Sequence, residues 1–217
     1  MSNALILISS FSILIPAFIS WVRFKQIHPT YHPFIFCLWI GCLNEVISYL
    51  VTINHYSNAL NSNIYVLLEG GLILWQFERW GNFTRKEFFF IFFLVLFVAV
   101  WVGENFFISR ITYFSSYFRI FYAAVLSLMS INFINSIIVR ERRSILRNAS
   151  FLMCAGFILY YTYKVMVEAF WIYGLNNGSS FRINVYLILM YINLLVNLIF
   201  AQAVLWIPTK QRFTLPS

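Results

Sequence analysis

The sequence predicts an all-α protein that crosses a lipid bilayer several times. Hydrophobic residues make up 61% of the 217 residues, charged residues only 10%, and the mean hydropathy is +0.79. Soluble domains are about 25% charged, so the composition excludes an ordinary soluble fold. The apolar residues also fall into seven runs, each close to the roughly 20 residues that a spanning helix needs. These runs use nearly the whole chain, which predicts a single seven-helix transmembrane domain over residues 1–217.

Polar or charged segments separate the seven predicted spans. The first span carries its basic residues, Arg23 and Lys25, after the apolar run. This order is typical of a retained span whose N-terminus lies outside, and not of a cleaved signal peptide. The third run is the most polar because Glu69 interrupts it, and the fifth is long enough to tilt. The predicted spans are roughly 4–22, 33–53, 62–80, 86–103, 112–139, 148–173 and 182–207.

The distribution of basic residues predicts the orientation of the spans. With the N-terminus outside, four segments lie on the cytoplasmic side and together hold 11 of the 15 basic residues. These segments are Arg23–His32, Arg79–Lys86, Arg140–Arg147 and the tail with Lys210 and Arg212. Cytoplasmic loops of multi-span proteins carry an excess of Lys and Arg. We therefore expect the N-terminus outside and the C-terminus in the cytoplasm, and the net charge of +8 needs no nucleic-acid partner to explain it.

Two short stretches of the chain resemble each other. NIYVLL (63–68) opens the third span and NVYLIL (184–189) opens the seventh. Each follows a span that contains a glutamate, Glu45 or Glu168. This pattern is compatible with a parallel 3+1+3 duplication, and parallel repeats build some transporter folds. Six loosely matching positions in a chain rich in Ile, Leu and Val leave chance similarity as the alternative.

Five ionisable residues lie inside the predicted spans. A charged side chain facing lipid at the bilayer centre costs about 2.5–3.5 kcal/mol, so all five are expected to face the bundle interior. The predicted topology places them in the outer half of the membrane, where they can nearly neutralise one another. They are Glu45, Glu69, Arg119, Lys164 and Glu168.

The sixth span carries two of these charges on one face. Lys164 and Glu168 are one helical turn apart on one face, so they can pair directly. Tyr160 and Trp171 extend the same face as an aromatic wall.

The charged cluster has two interpretations. It is a buried ion-pair network that only fixes the register of the helices, or it is a pocket for a small ligand or ion that is reached from outside. In a third alternative, Glu69 and Arg119 lie at the membrane edge and outside the cluster. For the pocket, the candidate ligand-binding residues are Glu45, Glu69, Arg119, Lys164, Glu168, Asn44 and Tyr160.

The sequence offers little for enzymatic chemistry. All three histidines lie in predicted loops, aspartate is absent, and no GxSxG or HExxH motif occurs. The three cysteines lie within apolar runs and have no metal-ligand spacing. We therefore expect a non-enzymatic protein without a metal site or cofactor.

Three stretches carry a resemblance to known proteins. They are LNEVISY in the second span, NSNIYVLLEG leading into the third, and LWIPTKQR after the last. With these motifs the chain resembles a group of uncharacterised seven-span bacterial inner-membrane proteins of similar size. The resemblance implies a multi-pass protein of the bacterial inner (plasma) membrane and brings no known activity with it.

Two functions follow as hypotheses. The first is a transporter- or receptor-like bundle that binds a small ligand or ion in the charged cluster. The alternative is a membrane accessory or effector subunit, for example in signalling or defence, in which the charges are structural only. It would contact a protein partner, or anionic lipids, through Arg140, Arg142 and Arg143 in a basic inner loop. The expected partners are membrane lipids, a small ligand or ion, and a protein partner or further copies of the chain.

Overall fold

A computed structural model describes residues 3–81, 86–140, 145–172 and 179–209 of the chain. Over these ranges the regular structure is helical, and the single β-type contact is an isolated bridge between Ile27 and Thr209. The helices are α1 Asn3–Phe11, α2 Leu14–Arg23, α3 His32–Ile53, α4 Ala59–Arg79, α5 Lys86–Val102, α6 Ser116–Arg140, α7 Ala149–Ile172 and α8 Ser179–Trp206. The predicted all-α class is confirmed.

Five helical segments are long and apolar enough to cross a membrane. A spanning helix must satisfy its backbone hydrogen bonds internally and present apolar side chains to lipid, and these segments meet both conditions. They are Pro29–Ile53, Phe88–Ile108, Ser116–Val139, Ala149–Ile172 and Leu187–Trp206. The chain is therefore a multi-pass membrane protein.

The two remaining predicted spans depart from a simple apolar helix. The first is divided into α1 and α2 at Ser12, whose hydroxyl donates a 2.6 Å hydrogen bond to the carbonyl of Ser9. The third, α4, is more polar because it buries Asn63, Glu69 and Gln76 inside the bundle. Polar side chains that face neighbouring helices avoid the cost of lipid exposure.

The helices pack in a ring with one helix outside it. In order around the ring, the α1–α2 pair packs on α3, α3 on α4, α4 on α6, α6 on α7, and α7 on α8, which returns to α1–α2. Helix α5 lies outside the ring against α4 and α6, and a turn of π-helix at Gly103–Ile108 extends it beyond the predicted boundary at 103. The interior of the ring is consequently shielded from lipid on all sides.

Connecting segments that carry basic residues gather at one end of the bundle. Arg23 donates hydrogen bonds to carbonyl oxygens in and after the last turn of α8. The side-chain amide of Gln76, near the end of α4, donates a hydrogen bond to the carbonyl of Thr30 at 2.8 Å. The hydroxyls of Tyr31 and of Ser150, at the start of α7, are hydrogen-bonded at 3.0 Å. We call this the basic end; it is formed by residues 23–32, 76–81, 145–150 and 204–209.

The core beside the basic end is aromatic and tightly packed. Phe200 of α8 makes edge-on contacts with Phe34 and Phe157, with ring centroids 5.2 and 5.4 Å away. Gly156 of α7 makes room for this ring, because a Cβ atom there would overlap it. Small residues allow membrane helices to approach closely in this way.

We therefore expect Gly156→Ala to lower the free energy of unfolding by about 1–3 kcal/mol, the usual cost of overpacking a core. The measurement is unfolding of the purified protein in mixed micelles. Gly103→Ala is the matched control, since nothing lies within 4 Å of a Cβ atom at that position. Equal stability of the two variants would contradict the packing described here.

Candidate functional site

A cavity of about 610 Å³ lies among α3, α4, α6, α7 and α8. Ser62 and Ser116, near the starts of α4 and α6, and Ile172, the end of α7, line it, so it reaches the end of the bundle opposite the basic end. We call it the large cavity. Six of the seven predicted ligand-binding residues line it, namely Asn44, Glu45, Arg119, Tyr160, Lys164 and Glu168.

A second cavity of about 90 Å³ lies closer to the basic end, and we call it the small cavity. The seventh predicted residue, Glu69, lines this one. Glu45, Tyr65 and Tyr160 line both cavities, so the two are neighbours separated by these side chains. The polar lining of the small cavity continues with Ser10, Asn193 and Asn197.

Lys164 projects from α7 into the interior and is only 8% exposed. Its Nζ atom lies 3.7 Å from Oε2 of Glu69 and donates a hydrogen bond to the hydroxyl of Tyr122. The same atom lies 5.1–5.9 Å from the ring centroids of Tyr122, Tyr160 and Tyr161. An ammonium among aromatic faces is stabilised by their negative electrostatic potential, and the effect grows when water is excluded.

Glu69 on α4 balances this charge. Its carboxylate accepts hydrogen bonds from the hydroxyls of Tyr65 at 3.2 Å and Tyr122 at 2.9 Å. Tyr65 lies one helical turn before Glu69, so the Y-x-x-x-E spacing places both side chains on one face of α4. A buried carboxylate with two donors and an ammonium nearby is well compensated, as buried charges must be.

Arg119 on α6 forms the second ion pair. Its guanidinium lies 3.7 Å from Glu168 of α7 and donates to the hydroxyl of Ser62 at 2.7 Å. It also lies 5.2 Å from the ring centroid of Phe114. Its Nε atom is buried and has no hydrogen-bond partner among the described residues.

Lys164 and Glu168 do not form the ion pair that their spacing along α7 allows. Lys164 reaches across to Glu69 of α4, and Glu168 pairs with Arg119 of α6. A pair between helices compensates two buried charges that face each other, whereas a pair along α7 would have left Glu69 and Arg119 unneutralised. The two ion pairs therefore join α7 to α4 and to α6.

Glu45 on α3 differs from the other carboxylates of the cluster. It is half-buried, and Ser10 lines the small cavity together with it. Within the described parts of the chain, no basic side chain lies within 4.0 Å of it. Its neighbour Asn44 also lines the large cavity and accepts a 3.0 Å hydrogen bond from Asn61.

Asn63 was not predicted from the sequence as a site residue, although it is fully buried. Its Nδ2 donates to Asn105 at 3.1 Å and to the carbonyls of Ile111 and Tyr113, while its Oδ1 accepts from the backbone and hydroxyl of Ser115. It thus fixes the segment before α6 beside the large cavity. The only sequence signal was its place at the start of NIYVLL.

Glu104 was also missed, because it follows directly after the predicted fourth span. The structure buries it, and its carboxylate accepts hydrogen bonds from the backbone nitrogens of Tyr117 at 3.1 Å and Phe118 at 2.5 Å. A carboxylate satisfies free N–H groups at a helix N-terminus and interacts favourably with the helix dipole. Glu104 therefore holds the start of α6, from which Arg119 projects.

The remaining predicted contact residues are the three arginines Arg140, Arg142 and Arg143. Arg140 is the last residue of α6, and Arg142 and Arg143 lie outside the described residues. Among the residues that the structure describes, no group of three His, Cys, Asp or Glu side chains is placed to hold a metal ion. Comparisons with models of known families, with curated proteins and with solved structures find no match to this chain.

Proposed function

We propose that this membrane protein binds a small ligand or ion in the large cavity, in the manner of a transporter or receptor. One observation carries the proposal: four charged side chains from three helices line a single cavity inside the helical ring. Small-molecule sites are cavities of about 300–1,000 Å³ with a few convergent polar groups, often between the helices of a bundle. The large cavity, at about 610 Å³, falls within this range.

The proposal includes seven crossings of a bacterial inner membrane, with the N-terminus outside and the C-terminus in the cytoplasm. Contacts between Arg23 and the end of α8 support it, because the first and seventh predicted spans must then end on the same side. Basic segments gathered on that side agree with a cytoplasmic location. In this topology the large cavity faces outward. The 3+1+3 duplication and the resemblance to seven-span inner-membrane proteins stay predictions.

The accessory-subunit hypothesis makes the ion pairs purely structural, and both cations of the cavity do have carboxylate partners. Neutralising Arg140, Arg142 and Arg143 together tests it. We expect this change to leave co-purifying proteins unaltered if the cavity is the functional site. Loss of a partner, with topology preserved, would favour the accessory role.

Filling the cavity tests the binding proposal without changing any charge. We expect the wild-type protein, released from native-membrane nanodiscs in a mass spectrometer, to carry a small-molecule adduct. Leu189→Trp, whose larger side chain enters the large cavity, should lose the adduct. The matched control is Leu195→Trp on the same helix, because Leu195 is 51% exposed on the outer surface.

The binding and structural interpretations predict different results for this pair. If the cavity holds no ligand, filling it stabilises the protein or leaves its stability unchanged, and the wild type and both variants would then all show the bare mass of their own polypeptide. Wild-type protein with the bare polypeptide mass, or an adduct kept in Leu189→Trp, would contradict the proposed function.

A further inference from the structure

From the charges around the large cavity, we infer that its ligand is a small organic cation whose ammonium group lies against Glu45. The inference rests on the proposed function and specifies the chemical class of the ligand. Three features support it: the pairing of the lining charges, the aromatic character of the walls, and the place of Glu45 between the two cavities.

The pairing of charges leaves one carboxylate free. Arg119 is paired with Glu168 and Lys164 with Glu69, each at 3.7 Å. Glu45 is the lining carboxylate that has no basic partner within 4.0 Å in the described part of the chain. A carboxylate inside a membrane bundle is stabilised by an opposite charge, and an ammonium ligand supplies it.

The walls around Glu45 are suited to an ammonium group. Tyr65 and Tyr160 line both cavities beside it, and Phe114 and Trp171 line the large cavity. Aromatic faces attract cations, and they are the usual walls of sites for quaternary ammonium ligands. Lys164 among three tyrosine rings is an internal example of the same interaction in this protein.

An anionic ligand fits the cavity less well. It would have to draw Arg119 from Glu168, or Lys164 from Glu69, and so leave a buried carboxylate without its cation. Breaking a buried ion pair in this way is strongly unfavourable. The Nε atom of Arg119, which has no hydrogen-bond partner in the described ranges, offers a single donor, and this donor suits a neutral oxygen of the ligand as well as an anion.

Glu45 also lies where the large cavity meets the small one. An ammonium bound there leaves the rest of the ligand in the large cavity, which has room for a small organic molecule, whereas the small cavity of about 90 Å³ does not. The geometry therefore places the charged group inward and the apolar group outward.

Charge-selective labelling of a cysteine in the cavity wall tests this inference. In a chain whose Cys37, Cys42 and Cys154 are replaced by alanine, Leu189→Cys or Ile172→Cys provides a reporter thiol on the lining. Three methanethiosulfonate probes are compared in reconstituted vesicles: one bearing trimethylammonium, one bearing sulfonate, and the uncharged methyl reagent. Rates are normalised to those of a free thiol in solution.

We expect the cationic probe to react at least about tenfold faster than the anionic probe after normalisation, since the Glu45 carboxylate attracts a trimethylammonium group and repels a sulfonate, and such local fields change encounter rates by this order. Glu45→Gln should abolish most of that preference. Glu78→Gln, at the basic end, is the matched control and should keep it.

The outcomes separate the two proposals. Equal rates, or faster reaction of the sulfonate probe, would overturn the cation inference while leaving the cavity as a site. Failure of all three probes, including the uncharged one, at both reporter positions would show that the cavity is closed to small molecules, and the proposed function itself would fall.

Discussion

Replacing Lys164 with methionine is expected to lower the free energy of unfolding by about 3–5 kcal/mol, the usual cost of leaving one partner of a buried ion pair uncompensated. Lys164 and Glu69 are 8% and 6% exposed, so the Glu69 carboxylate would have little contact with bulk water after the ammonium is lost. The hydroxyls of Tyr65 and Tyr122 would remain as the donors to Glu69. Reversible unfolding in mixed micelles measures the change.

A double replacement separates the ion pair from the packing of the lysine stem. Lys164→Met combined with Glu69→Gln should regain most of the lost stability, because no uncompensated charge then remains. Arg79→Met is a matched control for removing a cation, since its pair with Glu78 is long, at 4.0 Å, and half-exposed. Exposed pairs contribute about 0–1 kcal/mol. Equal losses for Lys164→Met and Arg79→Met would contradict the buried pair.

Replacing Asn63 with alanine is expected to lower the free energy of unfolding by about 3 kcal/mol or more. Several buried donors and acceptors lose their partner at once, and each of them destabilises the fold by about 1–3 kcal/mol when it is left unsatisfied. The carbonyls of Ile111 and Tyr113 and the hydroxyl of Ser115 depend on this side chain. We further expect faster amide hydrogen exchange in residues 109–115, since Asn63 fixes that segment.

Asn61→Ala is the matched control for this change. Asn61 lies on the same helix and donates to Asn44 and Ser48, but it is only half-buried, so water can replace its partners. Asn61→Ala should therefore lower the free energy of unfolding by only about 1 kcal/mol. Unchanged exchange in residues 109–115 of Asn63→Ala would show that another group holds the segment.

The described charges divide into two kinds with different roles. The pair Lys164–Glu69 links α7 to α4 across the ring, and the pair Arg119–Glu168 links α7 to the adjacent α6, so both stabilise the bundle. Glu45 has no such pair among the described residues, and we propose that it binds the ammonium group of the ligand. The structural and binding interpretations of the cluster thus apply to different carboxylates of the same cavity.

Hydropathy predicts much of the fold because the bilayer imposes strong constraints. Apolar runs of spanning length gave the helical class and the position of each described helix to within a few residues. The division at Ser12 was not predicted, although Ser9, Ser10 and Ser12 lie within this run, because a serine hydroxyl that bonds a nearby carbonyl also occurs in unbroken helices. The number of spans and their orientation stay predictions that rest on Lys and Arg counts.

The members of the cluster were predictable because an ionised side chain is too costly to face lipid. The ion-pair partners were not predictable, because they depend on how the helices are arranged around the ring. Lys164 meets Glu69 only because α7 lies across from α4, and the spacing within α7 suggested Glu168 instead. Asn63 and Glu104 were missed for a similar reason, since their partners lie on segments that are remote in sequence.

The central claim is that Lys164 and Glu69 meet in the interior of a membrane-embedded helical ring. A chain with Lys25→Arg, Lys86→Arg and Lys210→Arg keeps Lys164 as its single lysine, so ¹⁵Nζ-lysine and ¹³Cδ-glutamate labels report on the surroundings of Lys164. Rotational-echo double-resonance NMR in lipid bilayers then measures the nitrogen–carbon distance. We predict strong dephasing, consistent with the 3.7 Å separation of Nζ and Oε2. A lysine signal that no glutamate carbon dephases would contradict the account.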